Sequence, residues 1–521
     1  MTQSQLIAQR DGTVLVAPGD DARRVFDVLR QFAQLERVVA GSYVYRVSPV
    51  AIWGSAARGR TLPALLAELR VLFAGDVPSV IVQAISALYV RWGALRLVER
   101  DHQAVLTAGD PSVFAALGPQ IAERAVGGEV LLGPEEAAPA MLAAAQRGWP
   151  VVDLRRALAA ELPELRLRPT VRLRPYQDEA VRSFVNARNG VVLLPCGAGK
   201  TVVGVAAAAA TRTNTLVLTN SRLVAEQWRA HFQDLTTLPV DQVGILENGR
   251  ELCPVTIATY HAASATRAVG LLLGQAWGLV IYDEVQSLPA DVFRLAAQFP
   301  GTSRLGLTAT LVREDGRERE IAGLVGPVIY DVPWLELEQQ GWIAPARCVE
   351  VRVPRADNAR EASRFKMAVV ERLIAQHQDE PLLVIGTHLE LIHRLGRKFR
   401  IPTLTGATPA GERAALVEAF RSGAVPRLAL SRVGTVGLDL PDASVLIQIS
   451  GTFGSRQEEA QRLGRILRPA VGKSAVFYTV VIDSPRERRF ADRRRQYLVD
   501  QGYEYELLPA AHLPRVSDRA R

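Results

Sequence analysis

Leu194-Pro195-Cys196-Gly197-Ala198-Gly199-Lys200-Thr201 closes the apolar run 191–194 and leads into a valine- and alanine-rich stretch. A strand that ends in a glycine-bearing turn, with Lys200 and Thr201 opening a helix directly after it, aims backbone N–H groups and a positive helix terminus at one anion. Pro195, Cys196, Gly197, Ala198 and Gly199 form the cradle, the Lys200 ammonium meets the β- and γ-phosphates, and the Thr201 hydroxyl holds magnesium. The strict phosphate-loop pattern wants glycine where this chain has Leu194, but the shorter Gly-x-Gly-Lys-Thr core is intact. The expected ligands are ATP and Mg²⁺.

Outward from this loop, further segments fall in the order a nucleotide-driven machine needs. Asp283 and Glu284 follow the apolar run 279–282, so a strand delivers both carboxylates to the sheet edge beside the phosphate loop. Either the pair is a solvated acidic strand cap or, as the upstream lysine loop favours, Asp283 positions Mg²⁺ with Thr201 and Glu284 orients and deprotonates the attacking water, with Gln286 two residues on. Upstream, Arg174-Pro175-Tyr176-Gln177 offers Gln177 either as a reader of the adenine edge or as a surface glutamine at a helix start. Downstream, Thr308-Ala309-Thr310 ends a strand and senses the γ-phosphate or is a plain strand-to-loop pair. Gly434, Gly437 and Asp439 sit on a glycine-rich stretch after a strand, where backbone either approaches phosphates of ATP or of a nucleic-acid strand or forms an ordinary loop. Gln461-Arg462-Leu463-Gly464-Arg465-Ile466-Leu467-Arg468 reads as a helix whose arginines recur every three residues, close to one face. Arg465 and Arg468 are the expected fingers on the γ-phosphate, with a solvated basic helix as the plain alternative.

The 521 residues leave room for three or four domains. A net charge of +8 suits a polyanionic partner, although a solvated basic surface explains it almost as well. Cys196, Cys253 and Cys348 are too few and scattered for a disulfide framework or a zinc site. No secretory leader or uninterrupted apolar span of about 20 residues is visible, so a cytoplasmic, nucleoid-associated protein without membrane contact is expected. Asp11-Gly12 marks a hairpin, and 42–98 reads as helical, with Pro49, Pro63 and Pro78 near helix starts. From 169 onward β-rich apolar runs alternate with helical patterns, pause near 335–355, and resume. The fold class expected is α/β, with two tandem parallel-sheet domains after a mixed α/β and helical N-terminal region. The boundaries read as 1–100, 101–168 (a small α/β module), 169–335, 336–485 and a basic helix and tail over 486–521.

These segments resemble superfamily 2 helicases, and their wording resembles the XPB-type branch. The likeness is carried by 194–201, by 306–315, by 454–468, and before the motor by 43–53 and 91–97. It implies two RecA-like domains and a 3′-to-5′ DNA helicase or duplex translocase driven by ATP, working in repair or transcription-linked remodelling. It also implies that Arg313, Glu314 and Asp315 form a strand-opening loop and that residues 101–165 correspond to a damage-recognition-like module. Archaeal relatives pair with a nuclease, which leaves room for such a partner here; a monomer is favoured. Three departures stand out. Gln286 replaces the usual histidine, the thumb insertion is reduced to about 354–367, and the wording of 431–437 differs.

Thr219, Asn220 and Ser221, and likewise Thr259 and Tyr260, follow strands and open helices, so they either hold a phosphate backbone or cap those helices. Contacts of the first kind predict weak sequence preference for single-stranded, forked or duplex DNA. The alternatives are a duplex translocase that separates no strands, a nucleic-acid-binding scaffold with a vestigial ATP site, and an RNA-directed motor.

Overall fold

The computed structural model describes the chain apart from residues 1–2, 40–41, 102, 134–135, 156–158, 247–251, 289–300, 312–316, 432–442, 451–455, 465, 471 and 515–521. It divides into two compact units, Met1–Leu194 with Gly199–Val332, and Pro195–Ala198 with Pro333–Arg521.

In the first unit the expected hairpin joins strands Gln5–Ala8 and Thr13–Ala17 in antiparallel register, with Gly12 at φ +80°. These strands extend into a four-stranded sheet with Ser42–Val47 and Ala33–Val39. Helices Pro49–Ala57, Leu62–Leu72 and Ser79–Tyr89 follow. Proline stands in the first turn of the first two, where its missing N–H costs nothing. The region read as helical over 42–98 therefore begins and ends in strand: Tyr43, Tyr45 and Val47 on one side, and Leu95–Arg100 on the other. Leu95 and Leu97 are fully buried and alternate with exposed arginine, a period of two that belongs to a sheet. This strand is central in a second four-stranded sheet, ordered Glu129–Leu132, Gln103–Ala108, Leu95–Arg100, Val151–Asp153.

The unit's largest sheet has seven strands, all parallel, in the order Val243–Ile245, Val255–Thr259, Thr215–Thr219, Trp277–Asp283, Gly301–Thr308, Asn189–Leu193, Val328–Asp331. Every residue of Trp277–Asp283 is buried, as a central parallel strand covered on both faces requires. Because the strands run the same way, their carboxyl ends bring the loops after 193, 219, 259, 283 and 308 to one sheet edge.

The second unit repeats the architecture. Its seven parallel strands run Thr403–Leu404, Arg427–Ser431, Leu382–Gly386, Val445–Gln448, Ala475–Ile482, Ala346–Val353, Tyr505–Pro509. Ala346–Val353 lies where the sequence showed only a pause. Arg347, Glu350 and Arg352 interrupt its apolar character, and Glu350 is buried because Arg352 and Arg495 pair with it at 3.0 and 3.3 Å. After 485 come the helix Pro485–Asp500 and the edge strand Tyr505–Pro509. Residues 354–367 run into the 18-residue helix Ala359–Gln376, capped by Asn358, whose Met367, Val370 and Leu373 pack into the sheet core. No described helix is long and apolar enough to cross a membrane.

Candidate nucleotide site and motor elements

The loop ahead of Lys200 turns on two left-handed glycines, Gly197 at φ +84° and Gly199 at φ +80°, and helix Lys200–Thr211 begins immediately afterwards. Gly199 is required twice over. Beyond its backbone angle, a Cβ there would stand 2.6 Å from Gln177 Nε2. Gln177 belongs to helix Pro175–Ala187 and is 5% exposed, which removes the reading of it as a surface residue. The Arg174 N–H donates to Gln177 Oε1 at 3.0 Å, and Arg174 Nη1 donates to the Tyr176 hydroxyl at 3.1 Å. The glutamine amide is thus pinned by its oxygen while its nitrogen lies against the phosphate loop.

Asp283 ends the central strand. Its Oδ2 accepts from the Trp228 indole Nε1 at 2.9 Å, and the Tyr260 hydroxyl donates to its main-chain carbonyl at 3.0 Å. Burial and the neighbouring Glu284 charge push the Asp283 carboxyl up to about 6, against the opposing pull of the Trp228 bond and Lys200. Glu284 adopts φ +52°, a costly angle for a side chain with a Cβ, and Gln286 Nε2 donates to Glu284 Oε2 at 2.5 Å. Asp283, a buried carboxylate beside a second carboxylate, offers hard oxygen donors of the kind that Mg²⁺ takes alongside phosphate and water. These residues fit that ion.

Trp228 and Gly204 escaped the sequence reading. Gly204 sits in the helix after the phosphate loop, and a Cβ there would fall 2.4 Å from Trp228 Cη2. One glycine in the run Val202-Val203-Gly204-Val205-Ala206 was the available signal, since glycine weakens a helix interior unless something packs against it.

Thr308 and Thr310 are both buried at the end of their strand. The Thr308 hydroxyl donates to the Thr310 carbonyl at 2.9 Å and accepts from its N–H at 3.1 Å, folding the Thr308-Ala309-Thr310 turn back on itself. Thr219 is buried and donates to the Ser221 carbonyl; Asn220 is exposed between them. Ser221 and Thr259 cap their helices by accepting from Val224 N–H at 3.3 Å and Ala262 N–H at 3.0 Å.

In the second unit the helix runs Arg456–Leu463 and not over Gln461–Arg468 as expected: it stops at Leu463, ahead of Gly464, so of the arginine triplet only Arg462 lies on it and Arg468 follows in irregular chain. Arg462 points inward. Its Nη1 donates to Gln448 Oε1 at 2.5 Å, and Gln448 Nε2 donates to Glu459 Oε2 at 2.8 Å. The Tyr505 hydroxyl reaches Glu459 Oε1 at 3.2 Å, and Arg494 Nε lies 3.6 Å from its other oxygen. Gln461 is half-buried on the same helix. Gly464 follows it, and in this unit, to which Pro195–Ala198 belong, a Cβ on Gly464 would meet Cys196 Cβ at 2.2 Å, while one on Gly197 would meet Arg468 Cγ at 3.4 Å. That close approach leaves no room for a side chain at 464, just past the helix end. Arg465, Gly434, Gly437, Asp439, Arg313, Glu314 and Asp315 lie outside the described residues.

Two successive all-parallel sheets, the first with a phosphate loop and two carboxylates at the same edge on the strands either side of Gly301–Thr308, define a P-loop motor ATPase with tandem RecA-like domains. Family profiles match three segments: "ERCC3/RAD25/XPB C-terminal helicase" over 337–519, "Type III restriction enzyme, res subunit" over 170–313, and "Helicase conserved C-terminal domain" over 6–129. The chain is 40% identical to the DNA 3'-5' helicase XPB of Kineococcus radiotolerans, covering 98% of this chain and 97% of that one. It is likewise 40% identical to the Mycobacterium tuberculosis protein of that name, over 98% and 99% of the two chains. A putative DNA 3'-5' helicase Rad25 of Halobacterium salinarum is 34% identical over 92% and 84%. A solved structure of a point variant of S. cerevisiae Dbp5, bound to RNA and ADP BeF3, matches 69% of this chain and 98% of its own with a TM-score of 0.51 at 16% identity, a likeness of fold. The chain belongs to the XPB family of DNA 3'-5' helicases.

Proposed function

We infer that this protein is an ATP-dependent DNA helicase of the XPB type, moving 3′ to 5′ and coupling ATP hydrolysis to movement on DNA in repair or transcription-linked remodelling. The observation that carries this reading is identity across nearly the whole length with DNA 3'-5' helicase XPB proteins, in a chain that keeps Lys200, Asp283 and Glu284 on one sheet edge. In the proposed mechanism Lys200 and the backbone of 195–199 hold the β- and γ-phosphates, while Arg174 and Gln177 hold the base. Thr201 and Asp283 would hold Mg²⁺, which supplies charge neutralisation on the phosphates. Glu284 orients water and accepts its proton, held in place by Gln286. Arg465 and Arg468 stabilise charge on the γ-phosphate, supported by Gln461, Gly437 and Asp439 on the second domain. Thr219, Asn220, Ser221, Thr259 and Tyr260 position the DNA backbone, Thr308-Ala309-Thr310 couples it to nucleotide state, and Arg313-Glu314-Asp315 meets the strand junction.

The chain is assigned as an N-terminal region to 100, a small module to 168, motor domains over 169–335 and 336–485, and a basic helix and tail. The working form is proposed to be a cytoplasmic, nucleoid-associated monomer with room for a nuclease partner. A second reading, translocation on duplex without strand separation, is favoured by one observation: residues 354–367 cap and begin a core helix instead of forming a separate finger. Steady-state ATP hydrolysis with single-stranded DNA, duplex, fork and RNA in parallel tests the substrate. DNA should stimulate more than RNA, and equal stimulation by RNA would overturn the reading. Fork unwinding compared with triplex displacement separates the two modes of movement.

A further inference from the structure

Away from the nucleotide site, the first unit encloses a cavity of about 440 Å³ where the four-stranded sheet containing Val151–Asp153 meets the start of strand Gly301–Thr308 and the end of helix Pro175–Ala187. Trp92, Met141, Val151 and Pro327 give it apolar walls, and Asp153, Arg155, Arg188 and Arg304 give it charge. The charges do not balance. Asp153 is already held by Arg155, Nε to Oδ1 at 2.9 Å and Nη2 to Oδ2 at 2.7 Å, and Arg304 shares the second oxygen only at 3.6 Å. Arg304 is 3% exposed. Its Nη1 donates to the Leu324 carbonyl at 3.1 Å, and its Nε has no partner among the described residues. Glu99, which also bears on Arg155, is not part of the lining, and Glu320 is taken up by Arg317 and Gln146. A buried guanidinium with an unmet donor is costly, and three lining arginines against one carboxylate leave an excess of two positive charges.

We propose that this cavity is a binding site for a phosphate monoester, distinct from the nucleotide site, with the dianionic group met by Arg304 and Arg188 and a flat or aliphatic body against Trp92 and Met141. A phosphate monoester carries close to two negative charges at neutral pH and matches the excess, where a carboxylate leaves one charge unmet. The volume suits a ligand up to about mononucleotide size. The monoester comes either from a free organic phosphate or from the 5′-phosphate of a strand end.

Calorimetric titration of phenyl phosphate into the full-length protein, with ADP and Mg²⁺ saturating the nucleotide site, tests this. One saturable site is expected, weakened at least about tenfold by Arg188→Gln, an exposed position whose loss leaves the core intact, and not reproduced by benzoate. Displacement by a 5′-phosphorylated trinucleotide but not its 5′-hydroxyl form identifies the strand end as the source; displacement by neither identifies a free phosphate. No saturable heat, or a Kd unchanged by Arg188→Gln, overturns the proposal.

Discussion

The Trp228 indole N–H donates to Asp283 Oδ2 at 2.9 Å from a ring seated in the space that Gly204 leaves open, so a helix glycine, a buried tryptophan and the strand-end carboxylate form one positional chain. Gly204→Val fills that space with atoms that cannot avoid the ring. Overpacking of this kind costs about 1–3 kcal/mol. Urea unfolding should register that loss, and ATP hydrolysis should fall further than stability does because Asp283 loses its anchor. Unchanged hydrolysis would show that the tryptophan does not position the carboxylate.

The raised Asp283 carboxyl has a definite sign in stability. Between its ordinary value near 3.8 and about 6, the folded state binds more proton than the unfolded chain, so this group's contribution is lost as pH rises through that window. Asp283→Asn keeps an acceptor for Trp228 and removes the buried charge. Without nucleotide or metal, the variant should therefore gain stability over the parent as pH rises from about 4 to 6 and hold that gain above it. Chemical denaturation across pH measures it, and a gain that grows toward acid pH would refute the assignment.

Trp228→Phe removes one of the interactions that lower the Asp283 carboxyl. The acid limb of the pH–rate profile for DNA-stimulated hydrolysis should move to higher pH, with activity near pH 8 the least affected. A limb that stays in place would mean that Asp283 does not set it.

Glu284→Gln should bind ATP with near-parental affinity and hydrolyse it at least about 100-fold more slowly, as expected for loss of a general base. Gln286→Ala frees the Glu284 carboxylate from its 2.5 Å partner. A smaller fall in kcat, with KM for ATP held, is expected from single-turnover and steady-state rates together.

Arg494 belongs to the C-terminal helix, yet it faces the buried Glu459 of the arginine-bearing helix. Arg494→Ala leaves that carboxylate short of charge at a cost on the order of 3 kcal/mol. Thermal unfolding should report the loss, and Arg494→Lys should restore part of both stability and kcat. Equal defects in the two variants would show that charge is not what Arg494 supplies.

Much of this was legible in the chain because parallel α/β architecture writes itself in short-range code. The apolar runs at 191–194 and 279–282 fall on the strands Asn189–Leu193 and Trp277–Asp283, and the glycines at 197 and 199 mark left-handed angles. Edge strands such as Val243–Ile245, Thr403–Leu404 and Tyr505–Pro509 were not legible, because a strand covered on fewer sides needs fewer apolar residues. Ala346–Val353 was missed for a different reason: its buried Glu350 is neutralised by Arg495, 145 residues away.

The sequence by itself determined the two successive parallel sheets, the phosphate loop and the order of its companion segments, since each depends on local backbone geometry and the period of burial. Only the tertiary structure decided that Trp228 holds Asp283, that Gln177 is packed on Gly199, and that Arg462 turns inward to Gln448. Those relationships join residues from 14 to 55 positions apart. Their energies come from excluding water around a paired polar group, a condition that exists only once the sheets and helices have closed around it.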